Sequence, residues 1–209
     1  MGKNYVVTIA RGFGSGGKEI ASTLAKELGI HCYENRILTL ASEYSGYDRA
    51  RFLGADERLQ GNKLVNALRS LPRTLNPKPH AEGFVSDQQL FQYQAEIIKN
   101  LAETESCVIV GKCADHILKG YDNVYSFYIE APRAFCLKRI MKKMDIGEAE
   151  ANQLISKTDK YRADYYKYYT GGNYWTNPVN YDMTLNSDKI GIEDCVKTIK
   201  QYLELKNCI

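Results

Sequence analysis

Near the start of the chain, Gly12-Phe13-Gly14-Ser15-Gly16-Gly17-Lys18 has the spacing G-x-x-x-x-G-K. Glycines at such positions let the backbone wrap closely enough for successive N–H groups to point at phosphate oxygens, and Lys18 adds a positive charge. Gly12, Gly14, Ser15, Gly16, Gly17, Lys18 and Glu19 are therefore candidates for holding a phosphorylated ligand. Glu19 stands where a Ser or Thr hydroxyl would bind Mg²⁺. Its carboxylate could reach the ion through water or pair with a cation, so the metal chemistry stays open.

The surroundings match what this motif requires. Tyr5-Val6-Val7-Thr8-Ile9-Ala10 is an apolar, strand-like run before the loop. After it, Ile20, Ala21, Leu24, Ala25 and Leu28 share one helical face, and Gly29 sits where a helix-ending glycine belongs.

A second set of charges, Lys157, Asp159, Lys160, Arg162 and Lys167, crowds one short segment far along the chain. A solvated helix with i,i+3 and i,i+4 ion pairs is one reading. A cationic lid over a transferring phosphoryl group is the other, with Gly171 and Gly172 as one hinge. Tyr161, Tyr165, Tyr168 and Tyr169 recur there at helical spacing, which favours packing over base stacking.

These residues need a scaffold, and the hydrophobic pattern predicts one. His31-Cys32-Tyr33, Cys107 to Gly111, Val124 to Ile129 and Tyr181 to Leu185 read as further strands. Helical spacing follows them: Ile37 to Tyr44, a stretch resuming near Asp87, a segment opened by Pro132 with Phe135, Cys136, Arg139 and Ile140 inward, and Ile192 to Leu203 after Gly191. This alternation predicts an α/β fold with a parallel sheet and helices on both faces. Residues 46–87 and 145–178 break the alternation, and a helix from about Ala55 to Leu71 is expected inside the first break.

The length of 209 residues, 44% hydrophobic and 25% charged, suits one α/β domain. A net charge of +3 with no Lys/Arg block argues against nucleic-acid binding. No apolar run reaches transmembrane length and no signal peptide precedes the first strand, so a cytoplasmic location off the membrane is expected. Six cysteines without a C-x-x-C pair fit a reduced compartment, and His31, His80 and His116 lack metal-ligand spacing. No G-x-S-x-G elbow and no [NT]-K-x-D guanine motif is present, which argues against serine hydrolase and GTPase chemistry.

Four stretches together resemble the cytidylate kinase-like family of P-loop nucleoside monophosphate kinases: Ile9 to Ile20, Cys107 to Asp115, Asp159-Lys160-Tyr161-Arg162 with Tyr165-Tyr166, and Asn180 to Asn186. They follow the family's order across nearly the whole chain. The resemblance implies a three-layer P-loop kinase fold in one domain, residues 1–209. Its core would be 1–34, 95–154 and 177–209, with a helical acceptor-binding lobe at 35–94 and a lid at 155–176. It also implies ATP as donor, Mg²⁺ as cofactor, and a small phosphorylated nucleotide such as CMP or dCMP as acceptor.

By resemblance, Lys18 would sit on the donor's terminal phosphates, and Lys160 and Arg162 would occupy the cationic positions of a D-R-x-R pattern. Gly111-Lys112-Cys113 falls where cytidylate kinases have G-R-D, so Lys112 and the nearby Asp115 become acceptor-binding candidates, with Arg36 a further one. Arg11 takes a position where the family carries an acid. A P-loop protein that binds nucleotide without transferring phosphate, and a kinase for a non-nucleotide metabolite, are the competing expectations.

Overall fold

The computed structural model describes residues 4–46 and 87–209. Its parallel sheet holds β1 (Val6–Arg11), β2 (His31–Tyr33), β3 (Cys107–Val110), β4 (Val124–Glu130) and β5 (Met183–Asn186), in the spatial order β2-β3-β1-β4-β5. In chain order the α-helices among the described residues are α1 (Gly17–Leu28), α2 (Arg36–Ser45), α3 (Asp87–Thr104), α4 (Ala114–Ile117), α5 (Arg133–Met144), α6 (Glu148–Tyr169), α7 (Ser187–Ile190) and α8 (Ile192–Leu205).

Strand alternation divides the core into two layers. Val7, Ile9, Val108, Val110, Phe127 and Ile129 pack against α1 and α8 on one face. Val6, Cys107 and Ile109 face the other side, where α2, α3 and α4 supply Ile37, Leu38, Ile98, Leu101 and Ala114. The expected three-layer α/β arrangement is present, with the sheet as its middle layer. Gly29 closes α1 in the left-handed conformation at φ 67°, and its N–H bonds back to the helix as a C′ glycine does.

Three features differ in detail. The last strand begins at Met183, two residues after the expected Tyr181, whose ring is buried against Tyr128 instead. A one-turn helix, α7, precedes Gly191. The segment 145–178 contains α6, one unbroken 22-residue helix, so position 155 lies within a helix. The helix expected at 55–71 falls outside the described residues.

The packing of α6 explains how so polar a helix holds its place. Ala151 and Ile155 bury against Cys136 and Ile140 of α5, while Tyr166 packs with Tyr128, Trp175 and Tyr181. With both ends docked, the middle of α6, at Asp159 and Arg162, lies across the glycine loop.

Candidate active site: a phosphate loop in a cationic cleft

The loop between β1 and α1 is braced from within. Its entry is held by the Gly12 N–H bonding the Ile129 carbonyl at 3.0 Å. Ser15 is fully buried, and its hydroxyl donates to the Gly12 carbonyl at 2.8 Å. Ser187 Oγ donates to the Ser15 carbonyl at 2.5 Å. Ser15 is thus an internal brace rather than part of the cleft wall. Gly16, at φ 86°, lets the chain turn directly into α1, so that helix begins at the loop with its N-terminus toward the cleft.

Outside the carboxyl ends of β1, β2 and β3 lies a cleft of about 820 Å³. This is the crevice an open parallel sheet forms where its strand order reverses. Gly12, Gly14, Gly16, Gly17, Lys18 and Glu19 line one wall. Lys112, Asp115 and Arg162 also border it. The candidates from the loop, from the end of β3 and from α6 therefore meet in one space, although they are scattered through the sequence.

Besides Ser15, two candidates lie off the cleft lining. Lys160 points outward with its side chain 76% exposed, and its ammonium pairs with Asp164 at 2.7 Å. A helix separates positions 160 and 162 by about 200°, so only one of them can face the loop, and Arg162 does. Arg36 is also absent from the cleft lining. Its guanidinium lies 5.4 Å from the Tyr33 ring centroid, and its buried Nε makes no hydrogen bond among the described residues.

Each charge of the loop already has a partner. Lys18 Nζ is 2.5 Å from Glu34, a carboxylate that Arg11 also approaches at 3.5 Å. Glu19 pairs with Arg139 of α5 at 2.7 Å. The Phe13 N–H donates to Asp159 Oδ1 at 2.8 Å, while Arg162 Nη1 donates to the Arg11 carbonyl at 3.2 Å. Arg162, only 13% exposed, also lies over the Phe13 ring and 3.5 Å from Asp159.

Burial shapes the titration of the cleft groups. Lys112 is pushed down to about 7, first by burial and then by the Arg11 guanidinium, against the pull of Glu34. Burial raises Asp115, although the Tyr166 hydroxyl donates to it at 2.6 Å and works the other way. Burial raises Asp159 as well, opposed by the Phe13 N–H and Arg162.

The pattern of residue types gives no site role to Glu34 or Arg139, and it marks Asp159 only as a member of the charged segment, not as the anchor of the loop. Glu34 had one available signal, its place immediately after a strand whose carboxyl end borders the crevice. Helical spacing places Arg139 on an inward face. Cys136 and Ile140 are buried on that face, while the Arg139 guanidinium emerges at the cleft.

Residues 6–189 match the cytidylate kinase-like family, and the chain belongs to that family. Its fold is that of the P-loop kinases. An uncharacterized protein from Eubacterium ventriosum has a similar structure, with a TM-score of 0.71, 24% identity, and coverage of 96% of this chain and 99% of that one. The shikimate kinase of Bacteroides thetaiotaomicron is similar at a TM-score of 0.51 and 13% identity, covering 96% and 98%. That of Acinetobacter baumannii, solved with shikimate, also has a TM-score of 0.51 at 13% identity, covering 98% and 94%. No curated protein matches the chain. Among the described residues, no helix is long and apolar enough to cross a membrane.

Proposed function

We infer that this protein transfers a phosphoryl group from ATP to a small acceptor, with a nucleoside monophosphate such as CMP or dCMP the leading acceptor. One observation carries the reading: two groups of cations face a single cleft. Lys18 belongs to the loop, whereas Arg11, Lys112 and Arg162 gather beside the end of β3. A donor phosphate on the loop and an acceptor phosphate on the second group would approach each other across that cleft.

In this mechanism the loop N–H groups and Lys18 hold the donor's terminal phosphates, and Lys18 leaves Glu34 to do so. Arg162 supplies positive charge from α6 as the γ-phosphoryl group moves. An acceptor phosphate oxygen forms the new P–O bond in line with the breaking bond to the β-phosphate, and ADP departs. No general base is needed, because a phosphate monoester is already nucleophilic at neutral pH.

Among the described residues, no group of three or more metal-ligating side chains occurs. A lone loop carboxylate still fits Mg²⁺, which is commonly held by one or two carboxylates together with substrate phosphates and water. Glu19 is the residue that would hold it, leaving Arg139. When bound, the ion would neutralise charge on the donor's terminal phosphates.

A second reading draws on the same pairings. With Lys18 on Glu34, Glu19 on Arg139 and Asp159 on the loop N–H, the protein could bind nucleotide without transferring phosphate. A phosphoryl-transfer screen decides between them, using ATP and Mg²⁺ against nucleoside monophosphates, nucleosides, phosphorylated metabolites and shikimate. ADP production with CMP or dCMP is the expected result. Transfer only to shikimate or another non-nucleotide acceptor would assign a metabolite kinase, and ATP binding without transfer to any acceptor would overturn the kinase reading.

A further inference from the structure

Glu19 is a carboxylate set among phosphate-binding groups. It follows Lys18 in the first turn of α1 and lines the cleft beside the glycine loop. An acid there repels the donor's phosphates unless a cation stands between them. The chain supplies such a cation, because Arg139 Nη2 lies 2.7 Å from Glu19 Oε2.

Arg139 reaches this position through the packing of α5. A Cβ on Gly14 would meet the Cys136 Cβ at 2.8 Å, so the helix presses directly on the loop. Cys136 and Ile140 anchor its buried face, while the side chain of Arg139 emerges at the cleft. A Cβ on Gly16 would lie 3.5 Å from Arg139 Nη2, which puts the guanidinium over the phosphate loop itself. Lys142 and Lys143 line the same wall one turn further along the helix.

The contact between Glu19 and Arg139 is suited to exchange. Their side chains are 57% and 33% exposed, so water competes for both ends of the pair. A guanidinium and a dication repel each other at a shared carboxylate oxygen, so Glu19 serves one of them at a time.

We propose that Arg139 is a donor-binding residue that Glu19 holds in reserve, released onto the donor's terminal phosphates when the carboxylate turns to the metal. This role rests on the reading of the loop as an ATP site with Mg²⁺ at Glu19. In the empty cleft the two side chains neutralise each other. In the loaded cleft Glu19 faces the ion, and the guanidinium turns its planar fork to phosphate oxygens, a geometry that arginine fits. Without metal, Glu19 keeps Arg139, and ATP meets a tied cation beside a like charge. The pair thereby makes donor binding depend on the metal through two side chains, only one of which touches the ion.

The test is equilibrium titration of the full chain with ATP at physiological salt, with excess Mg²⁺ and separately with EDTA. With Mg²⁺, Arg139→Gln should weaken binding at least about tenfold, because the guanidinium is then on the phosphates. With EDTA the same change should cost about threefold or less, because Glu19 holds the guanidinium back. In the Glu19→Gln background the cost with EDTA should return to about tenfold, since the amide has no charge to retain Arg139. Side-chain NMR, with the signal assigned by Arg139→Lys, reads the exchange directly. Glu19→Gln should move the Arg139 signal in the empty protein and leave it in place in the complex with ATP and Mg²⁺. Both side chains are partly solvated, so the variants should melt close to the parent.

Equal costs of Arg139→Gln with and without metal in the parent would overturn the proposal, since the guanidinium would then serve ATP without leaving Glu19. So would an Arg139→Gln variant that binds ATP with Mg²⁺ as tightly as the parent, or an Arg139 signal that still answers to Glu19→Gln in the metal-loaded complex. Exchange without phosphoryl transfer to any acceptor would instead remove the kinase reading and leave the pair's role standing. Transfer with no exchange of Arg139 would do the reverse, and ATP that binds under neither condition would remove both.

Discussion

Lys18 Nζ lies 2.5 Å from a Glu34 carboxylate oxygen, so the cation the loop offers to a phosphate is neutralised from within the chain. The lysine side chain is 56% exposed, which limits the pair to about 1 kcal/mol. A donor phosphate can therefore displace Glu34, at a modest cost in affinity.

Replacing Glu34 with Gln should tighten ATP binding by up to about fivefold, the equivalent of about 1 kcal/mol, as read by equilibrium titration. Lys18→Ala should lower turnover by at least about a hundredfold while leaving the fold intact, because its side chain is largely solvated. Unchanged ATP affinity in the first variant would show that the Glu34 pair does not compete with donor binding.

The two α6 cations should separate cleanly. Lys160→Ala removes an exposed pair with Asp164 and should change stability by less than about 0.5 kcal/mol, with turnover within about twofold. Arg162→Ala removes a largely buried guanidinium from beside the loop and should cost at least about tenfold in kcat. Steady-state kinetics on both variants checks this. A large loss with Lys160→Ala would mean that α6 rotates when substrates bind.

Asp159 anchors the loop through the Phe13 N–H, and the alanine variant leaves that donor without its carboxylate partner. Asp159→Ala should lower stability by about 1–2 kcal/mol by chemical denaturation and speed hydrogen exchange at the Phe13 amide. Exchange at Phe13 that is no faster than in the parent would show that the loop holds its shape without α6.

Gly16 tests the turn into α1. A Cβ at this φ of 86° would also lie 2.2 Å from Ile192 Cδ1. Gly16→Ala should destabilise the protein by about 1–3 kcal/mol in denaturant titration and weaken ATP binding together with it.

Burial raises Asp115 above the ordinary carboxyl range. The folded state therefore holds this proton more tightly than the unfolded chain, and the group's contribution to stability falls as pH rises through its titration. Asp115→Asn keeps an oxygen for the Tyr166 hydroxyl while removing the buried charge. Its melting temperature should exceed the parent's at pH 7, and the gain should vanish in acid. A gain independent of pH would assign the effect to packing.

The glycine spacing before Lys18, the apolar runs at Val6 and Cys107, and the stripe from Ile20 to Leu28 carried most of the fold. Their information is local: a turn needs glycine where φ is positive, and a helix or strand shows its buried face in its own periodicity. The charged segment after Lys157 left lid and solvated helix equally open, because a helix that docks by its two ends has only a weak apolar stripe. Lys160 and Arg162 looked equivalent by residue type, and only the rotation of α6 set one toward the loop and the other toward solvent.

Residue order alone made this an α/β protein with a phosphate loop between its first strand and helix, since those features arise from neighbours along the chain. Which groups meet in the cleft depended on the order β2-β3-β1-β4-β5, which gathers Arg11, Glu34 and Lys112 at adjacent strand ends. The pairing of Lys18 with Glu34, of Glu19 with Arg139 and of Asp159 with Phe13 was decided there. Electrostatic partners are chosen by distance in space, and residues far apart in sequence acquire that distance only when the strands assemble into the sheet.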